Sequence, residues 1–259
     1  MTTALVLTYH GVEDREGPLF VDPDSFAAQL DLVVESGADA VTVSQLVEQV
    51  RAGVLTRPTV AITFDDGLAS VARIAAPLLV ERELPATVFC VAGHIGGVSD
   101  WESARAGSPV LELARADELA ALAARGFELG CHGLTHAPLD KGSAAFLRRE
   151  LIDAKQSLEQ QVGAPVSAFA YPYGASPCQE ALRLAETAYA SAWTTRADYV
   201  RSAAELQRAP RVDAHYVRRP ALLRAALEGS LGRYLGMRRL GAQARRALRR
   251  DYAAAGAEL

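Results

Sequence analysis

The chain has only three cysteines in 259 residues, and no two of them form a CxxC pair. An odd number at wide spacing (Cys90, Cys131, Cys178) makes neither a disulfide scaffold nor a thiolate metal site, and fits a reduced, cytosolic protein. An excess of one charge is missing too. With 27 Lys and Arg against 31 Asp and Glu the net charge is only −4, which argues against a general nucleic-acid binder. No apolar run approaches the length of a membrane span. The opening stretch, Met1 to Leu7, has neither the basic region nor the long apolar core of a signal peptide and reads as a first strand. The expected location is therefore cytoplasmic, extending to the inner face of a membrane. No linker rich in Pro, Gly and Ser breaks the pattern before residue 220, so one large domain is expected. There is no phosphate-cradling glycine loop and no Ser-centred nucleophile elbow.

What is present is a core-forming composition, half hydrophobic, in which strand-like and helix-like stretches alternate. Strands are expected at Leu5 to Thr8, Ala40 to Val43, Thr59 to Phe64, Ala86 to Val91, Phe127 to Gly130, Val166 to Ala170, Ala190 to Thr194 and Leu206 to Val212. Helices are expected at Ser25 to Glu35, after a Ser44 cap, at Leu68 to Glu83 with a kink at Pro77, at Asp117 to Arg125, at Ser143 to Val162 and at Pro177 to Thr187. Such alternation implies parallel strands with helices outside, and their number suggests a (β/α) barrel of seven strands, short of a full one. In barrels of this kind chemistry collects where strands end. His10, Asp65, Asp66, His94, His132 and Tyr171 all follow strand-like runs.

Asp65 and Asp66 are the sharpest signal. The run Thr59 to Phe64 stops at two adjacent carboxylates and Gly67. Side chains alternate along a strand, but past its end the two acids are free to take different jobs, one at a metal and one at a proton. His132 and His136 add two imidazoles four residues apart, close enough to face one way. A carboxylate with two imidazoles is a three-ligand set that leaves a coordination position for water. The competing explanation, a turn aspartate with two surface histidines, is the weaker one because two of only five histidines stand at ligand spacing.

Thr63-Phe64-Asp65-Asp66-Gly67, His132-xxx-His136 and Tyr171-Pro172-Tyr173-Gly174 occur in this order, preceded by Tyr9-His10-Gly11-Val12. Together they resemble the polysaccharide deacetylase family, the NodB-homology or carbohydrate esterase 4 group, over roughly residues 4 to 220; Tyr9-His10-Gly11-Val12 is similar to the opening strand of many bacterial members. The resemblance implies a distorted barrel and hydrolysis of N-acetyl, less readily O-acetyl, groups on a carbohydrate. It implies Asp65 as general base, Asp66, His132 and His136 as ligands of a divalent metal (Zn²⁺ first, other first-row ions next), and the Tyr173 amide as a donor to the developing oxyanion. Two positions depart from the family pattern. Ala170 stands where an arginine commonly orients the base, and Arg211, or else Arg208, is the candidate replacement. Gly133 stands where a Ser or Thr hydroxyl usually braces the metal loop. His215 is the candidate general acid and His10 the other histidine expected to touch substrate, while Trp193 either stacks on a sugar or lies in the core. His94 reads as part of its loop's architecture. A formamide or cyclic-amide hydrolase of the same fold, or a glycan-binding protein without turnover, is the alternative.

Beyond residue 230 the composition changes. Arg233, Arg238, Arg239, Arg245, Arg246, Arg249 and Arg250 fall in a stretch with no acid before Asp251. We therefore divide the chain into a catalytic barrel, 1–230, and a basic helical tail, 231–259. The tail is expected to pack as a solvated helix; the second expectation is peripheral contact with an anionic membrane surface.

Overall fold

A computed structural model describes residues 4–102 and 109–248 of the chain. Among these residues lie ten strands: β1 (Ala4–Tyr9), β2 (Gly11–Val12), β3 (Phe20–Val21), β4 (Asp39–Val41), β5 (Thr59–Phe64), β6 (Ala86–Cys90), β7 (Glu128–Cys131), β8 (Ala168–Ala170), β9 (Ser191–Trp193) and β10 (Val212–Asp213). β1 and β5 are buried at all six positions. That is why each is mostly apolar, broken only by threonines: a parallel strand covered on both faces has no solvent side. Eight strands form one parallel sheet, ordered β10-β1-β5-β6-β7-β8-β9, with β4 attached to β5. β5 is shared along its length, pairing with β4 at Thr59 to Ala61 and with β6 at Ile62 to Phe64. The result is the curled, seven-strand wall expected of the distorted (β/α) barrel.

The wall is closed by one bent segment. Ala209 N–H donates to Ala192 O (2.9 Å) and Ala209 O accepts from Thr194 N–H (2.8 Å), so this residue sits against β9. Val212 and Asp213, a few residues on, pair with Leu7 and Thr8 of β1. The strand expected over Leu206 to Val212 is thus corrected. Ala203–Arg208 is a 3₁₀ helix, Pro210 has no N–H for a ladder, and only Val212–Asp213 is strand. Arg211 lies at the crossing and is fully buried.

Other departures have local causes. Thr42, not Ser44, caps the helix Val43–Ala52, because Gln45 reaches back to close a capping box; the Ser44 hydroxyl donates to Glu128 instead (2.6 Å). The expected helix from Leu68 begins with a π turn, Val71–Ala75, and continues as Ala76–Glu81. Pro77 lacks the N–H that an α ladder would use there. The long helix is Ala144–Arg148 and Ala154–Val162 joined by a π turn, Arg149–Asp153.

The barrel interior is a small core of its own, with Val6, Ala61, Phe89, Ala170 and Trp193 above Leu46 and Val47 of the lower helix. Trp193 is fully buried and its Nε1–H donates to Ser191 Oγ at 2.9 Å. It therefore presents no face to a sugar, and the stacking role considered above is corrected to core packing. Gly130 makes room for Phe89, whose ring a Cβ at that position would overlap. Gly130→Ala is expected to destabilise the fold by about 1–3 kcal/mol through overpacking, read as a lowered urea midpoint; an unchanged midpoint would show slack in the interior.

The last helix, Gly232–Leu248, docks by its first turns. Leu231 and Leu235 join the main core, the Tyr234 hydroxyl donates to Tyr216 O (2.9 Å), Arg239 pairs with Asp198, and the Arg238 guanidinium lies 3.9 Å from the centre of the Tyr216 ring. Arg249 and Arg250 lie outside the described residues. Among the described residues no helix is long and apolar enough to cross a membrane.

Candidate active site

Asp65 prolongs β5 by one hydrogen bond, its N–H donating to Tyr9 O at 2.9 Å. Asp66 then enters the left-handed region (φ 71°), followed by Gly67 (φ 73°). This break in the backbone sends the two carboxylates to different neighbours. Asp65 is gripped by Arg211, with Nη1 2.6 Å from Oδ1 and Nη2 2.8 Å from Oδ2. Such a two-pronged contact fixes orientation as well as charge. The guanidinium is itself held by Thr194 O (3.2 Å from Nε) and Thr63 Oγ1 (3.3 Å from Nη1), and lies 5.2 Å from the Phe89 ring centre. Burial by itself would raise the Asp65 carboxyl; Arg211, helped by His132 and His10, more than offsets this and holds it below the usual carboxylate range.

Asp66 turns to the histidines. Its Oδ1 lies 3.2 Å from His136 Nε2 and 3.6 Å from His132 Nε2, yet has no hydrogen-bond partner among the described residues. Burial opposes the Asp66 charge, and His136 together with His10 and His132 outweighs burial, so its carboxyl is also held low. His132 Nδ1 lies 2.8 Å from Ala170 O. A carbonyl can only accept, so Nδ1 carries the proton and the Nε2 lone pair is left facing Asp66. Burial, reinforced by His136 and opposed by Asp65 and Asp66, brings the His132 pKa down to about 4, keeping the imidazole in the neutral form that a metal requires. The donor atoms of Asp66, His132 and His136 all lie within 4.8 Å of one another. An orphaned buried carboxylate oxygen, a tautomer-locked imidazole and a second imidazole form a donor set that suits Zn²⁺ and other first-row divalent ions.

His136 (φ 59°) and Tyr173 (φ 59°) are left-handed as well, so three of the four such non-glycine residues among those described lie at this site. Strain of this kind persists where surrounding structure fixes it. The His136 ring stands between Trp101 (4.7 Å) and Tyr173 (4.6 Å). His94 packs edge-on to Trp101 at 5.0 Å, with Nδ1 3.3 Å from Asp100, as a loop residue.

His10 lines a cleft of about 500 Å³ with Asp213, His215 and Arg218. The cleft lies on the His10 side and none of the three candidate ligands lines it. The His10 imidazole acts electrostatically on Asp65, Asp66 and Asp213. Burial is the main influence on Asp213 and raises its carboxyl. The backbone N–H of His215 donates to Asp213 Oδ1 at 2.9 Å, and its ring lies 6.4 Å from that of Tyr216. The structure thus groups Asp65, Asp66, His132, His136, Arg211 and Tyr173, places His10 at their edge and His215 beside Asp213, and removes Trp193 to the core.

Two residues escaped sequence reasoning. Trp101 gave no signal beyond being one of two tryptophans. Glu150 did give one: it falls on the apolar stripe of its helix with Leu147, Leu151, Ala154 and Leu158, where a charge is out of place unless partnered.

The site is a carboxylate–imidazole cluster that could hold a metal ion, at the strand ends of a parallel curled barrel. The chain belongs to the polysaccharide deacetylase family, whose model matches residues 52–192, and it is a hydrolase of carbon–nitrogen bonds. Its fold is similar to that of IcaB from Ammonifex degensii (24% identity, TM-score 0.75, covering 89% of this chain and 97% of that one). It is also similar to the Streptococcus pyogenes deacetylase PplD (23%, 0.70, 82% and 92%) and to the polysaccharide deacetylase BC0361 from Bacillus cereus (22%, 0.72, 87% and 69%). Among curated proteins, none matches the sequence. The span 52–192 includes Asp65, Asp66, His132, His136 and Tyr173 but neither His10 nor Arg211.

Proposed function

We propose that this protein removes N-acetyl groups from an acetylated carbohydrate, with Asp66, His132 and His136 holding a divalent metal, Zn²⁺ first, and Asp65 acting as general base. The observation that carries the proposal is the division of labour between adjacent acids: Asp66 faces two imidazole nitrogens while both Asp65 oxygens face Arg211. When bound, the ion supplies Lewis-acid polarisation of the acyl carbonyl and lowers the pKa of the attacking water.

The protein's own groups do the rest. Asp65 Oδ2, 4.0 Å from His132 Nε2, borders the ligand cluster and takes the water's proton. Arg211 keeps that carboxylate ionised and aimed. The Tyr173 N–H, on a backbone held in the left-handed region, donates to the oxyanion as the carbonyl becomes tetrahedral. The C–N bond then breaks and the leaving nitrogen takes up a proton, giving acetate and the free amine. The candidates for that proton are His10 and His215, and we favour His10, which acts on Asp65, Asp66 and Asp213, whereas His215 acts on Asp213 without acting on either acid of the pair.

The test is acetate release from a panel of N-acetylated and O-acetylated sugars, with and without chelator. Release from N-acetyl members is expected to stop on chelation and return with Zn²⁺. A metal-loaded protein that releases no acetate from any member would sink the proposal and direct the search to formamides and cyclic amides.

A further inference from the structure

We propose that Glu150 is the positioning residue of the metal loop, a buried carboxylate that sets His132 and His136 in register by holding residues 133–135 between them. The proposal rests on the assignment of those histidines as ligands. Glu150 is fully buried and stands in the π turn Arg149–Asp153, a helix irregularity often found at functional sites. Its Oε2 accepts from Leu134 N–H (2.9 Å) and Thr135 N–H (3.0 Å), and its Oε1 from the Thr135 hydroxyl (2.7 Å). The opposite edge of the loop is held by Ala92 N–H on Gly133 O and Gly93 N–H on Leu134 O, both 2.9 Å. Donors of the loop thus face the Glu150 helix and its acceptors face the segment after β6, so it is hydrogen-bonded along both edges.

Gly133 is the complement of this brace. Its φ is +86°, and a Cβ there would stand 3.0 Å from Glu150 Oε2. A side chain at that position would crowd the carboxylate, so the loop is braced by Glu150 from outside rather than by a group on residue 133. Glutamine weakens the brace: with its oxygen on the two loop N–H groups, its NH₂ can only donate to the Thr135 hydroxyl where the carboxylate accepts, and the negative charge that strengthens all three bonds is lost.

Zn²⁺ affinity of the full chain, measured by competition with a chelating dye, tests the assignment alongside the visible spectrum of the Co²⁺-loaded protein. Glu150→Gln is expected to bind Zn²⁺ about 10–100-fold more weakly and to change the Co²⁺ bands while its far-UV CD stays native. Thr135→Val, which removes only the hydroxyl bond, is expected to give a smaller loss in the same direction. A folded Glu150→Gln with wild-type affinity and spectrum overturns the proposal. If that variant does not fold, Thr135→Val decides, and wild-type affinity there overturns it as well. A wild-type chain that binds no metal refutes the ligand assignment itself and this inference with it, a result that needs no variant.

Discussion

Asp65→Asn is expected to lower acetate release about 10²–10⁴-fold, the range general-base catalysis contributes, while metal content stays at the wild-type level. The exchange keeps shape and volume but removes the negative charge paired with Arg211 as well as the basicity, so the far-UV CD and urea midpoint of the variant are recorded with its turnover. Both Asp65 oxygens lie on Arg211, whereas the ligand cluster consists of Asp66, His132 and His136. A loss of rate without a loss of metal therefore separates the two adjacent acids. Turnover under substrate saturation and metal analysis of the same sample check it; near-wild-type turnover would assign the base elsewhere.

Arg211→Met is expected to be the most damaging single change outside the ligand set. Arg211 and Asp65 are both almost wholly buried. Removing one partner of a buried pair leaves an uncompensated charge and costs about 3–5 kcal/mol. Combining Arg211→Met with Asp65→Asn should recover part of that loss, because the stranded charge is gone; a double variant no more stable than Arg211→Met alone would rule out the pairing as the cause. The pH profile supplies an independent reading. Burial is the largest influence on Asp65 and raises its carboxyl, while Arg211 is the main influence holding it down. Without Arg211 the base therefore protonates at higher pH, and the acid limb of the rate profile moves upward. In the wild-type chain the pair's contribution to stability is fully present above the ordinary carboxylate pKa. It is lost as pH falls through the lowered one.

The parts of this protein legible in the sequence are those in which one stretch of chain suffices. β5 and its acid pair are contiguous, and His132 and His136 are four residues apart, so residue type and spacing expose them. The seven-strand barrel followed from alternation alone. The π turns were not legible, because a π turn and an α turn share nearly the same apolar stripe over five residues. The stretch Leu206 to Val212 has strand-like apolar spacing, and only Pro210 hints that it is split between a 3₁₀ helix and a short strand. Trp193 ends a strand in either interpretation. Whether it faces a groove or the barrel interior depends on how Ala61, Ala170 and Gly130 leave room for it and for Phe89, which is a property of four other strands. Arg211 was reachable only as a replacement for the cation missing at Ala170. Its position at the bend between β9 and β1 is a matter of closure, not of local pattern.

That bend also bears on the order in which the protein becomes whole. The clasp on Asp65 spans 146 residues, and it comes from the segment that completes the wall. During synthesis the chain emerges with both acids and both imidazoles long before the guanidinium that steadies one of them. A nascent chain therefore holds Asp66, His132 and His136 while Asp65 is still without its counter-charge, and on the proposed mechanism hydrolysis waits for the last strand. Closing the barrel and pairing the Asp65 carboxylate are one event.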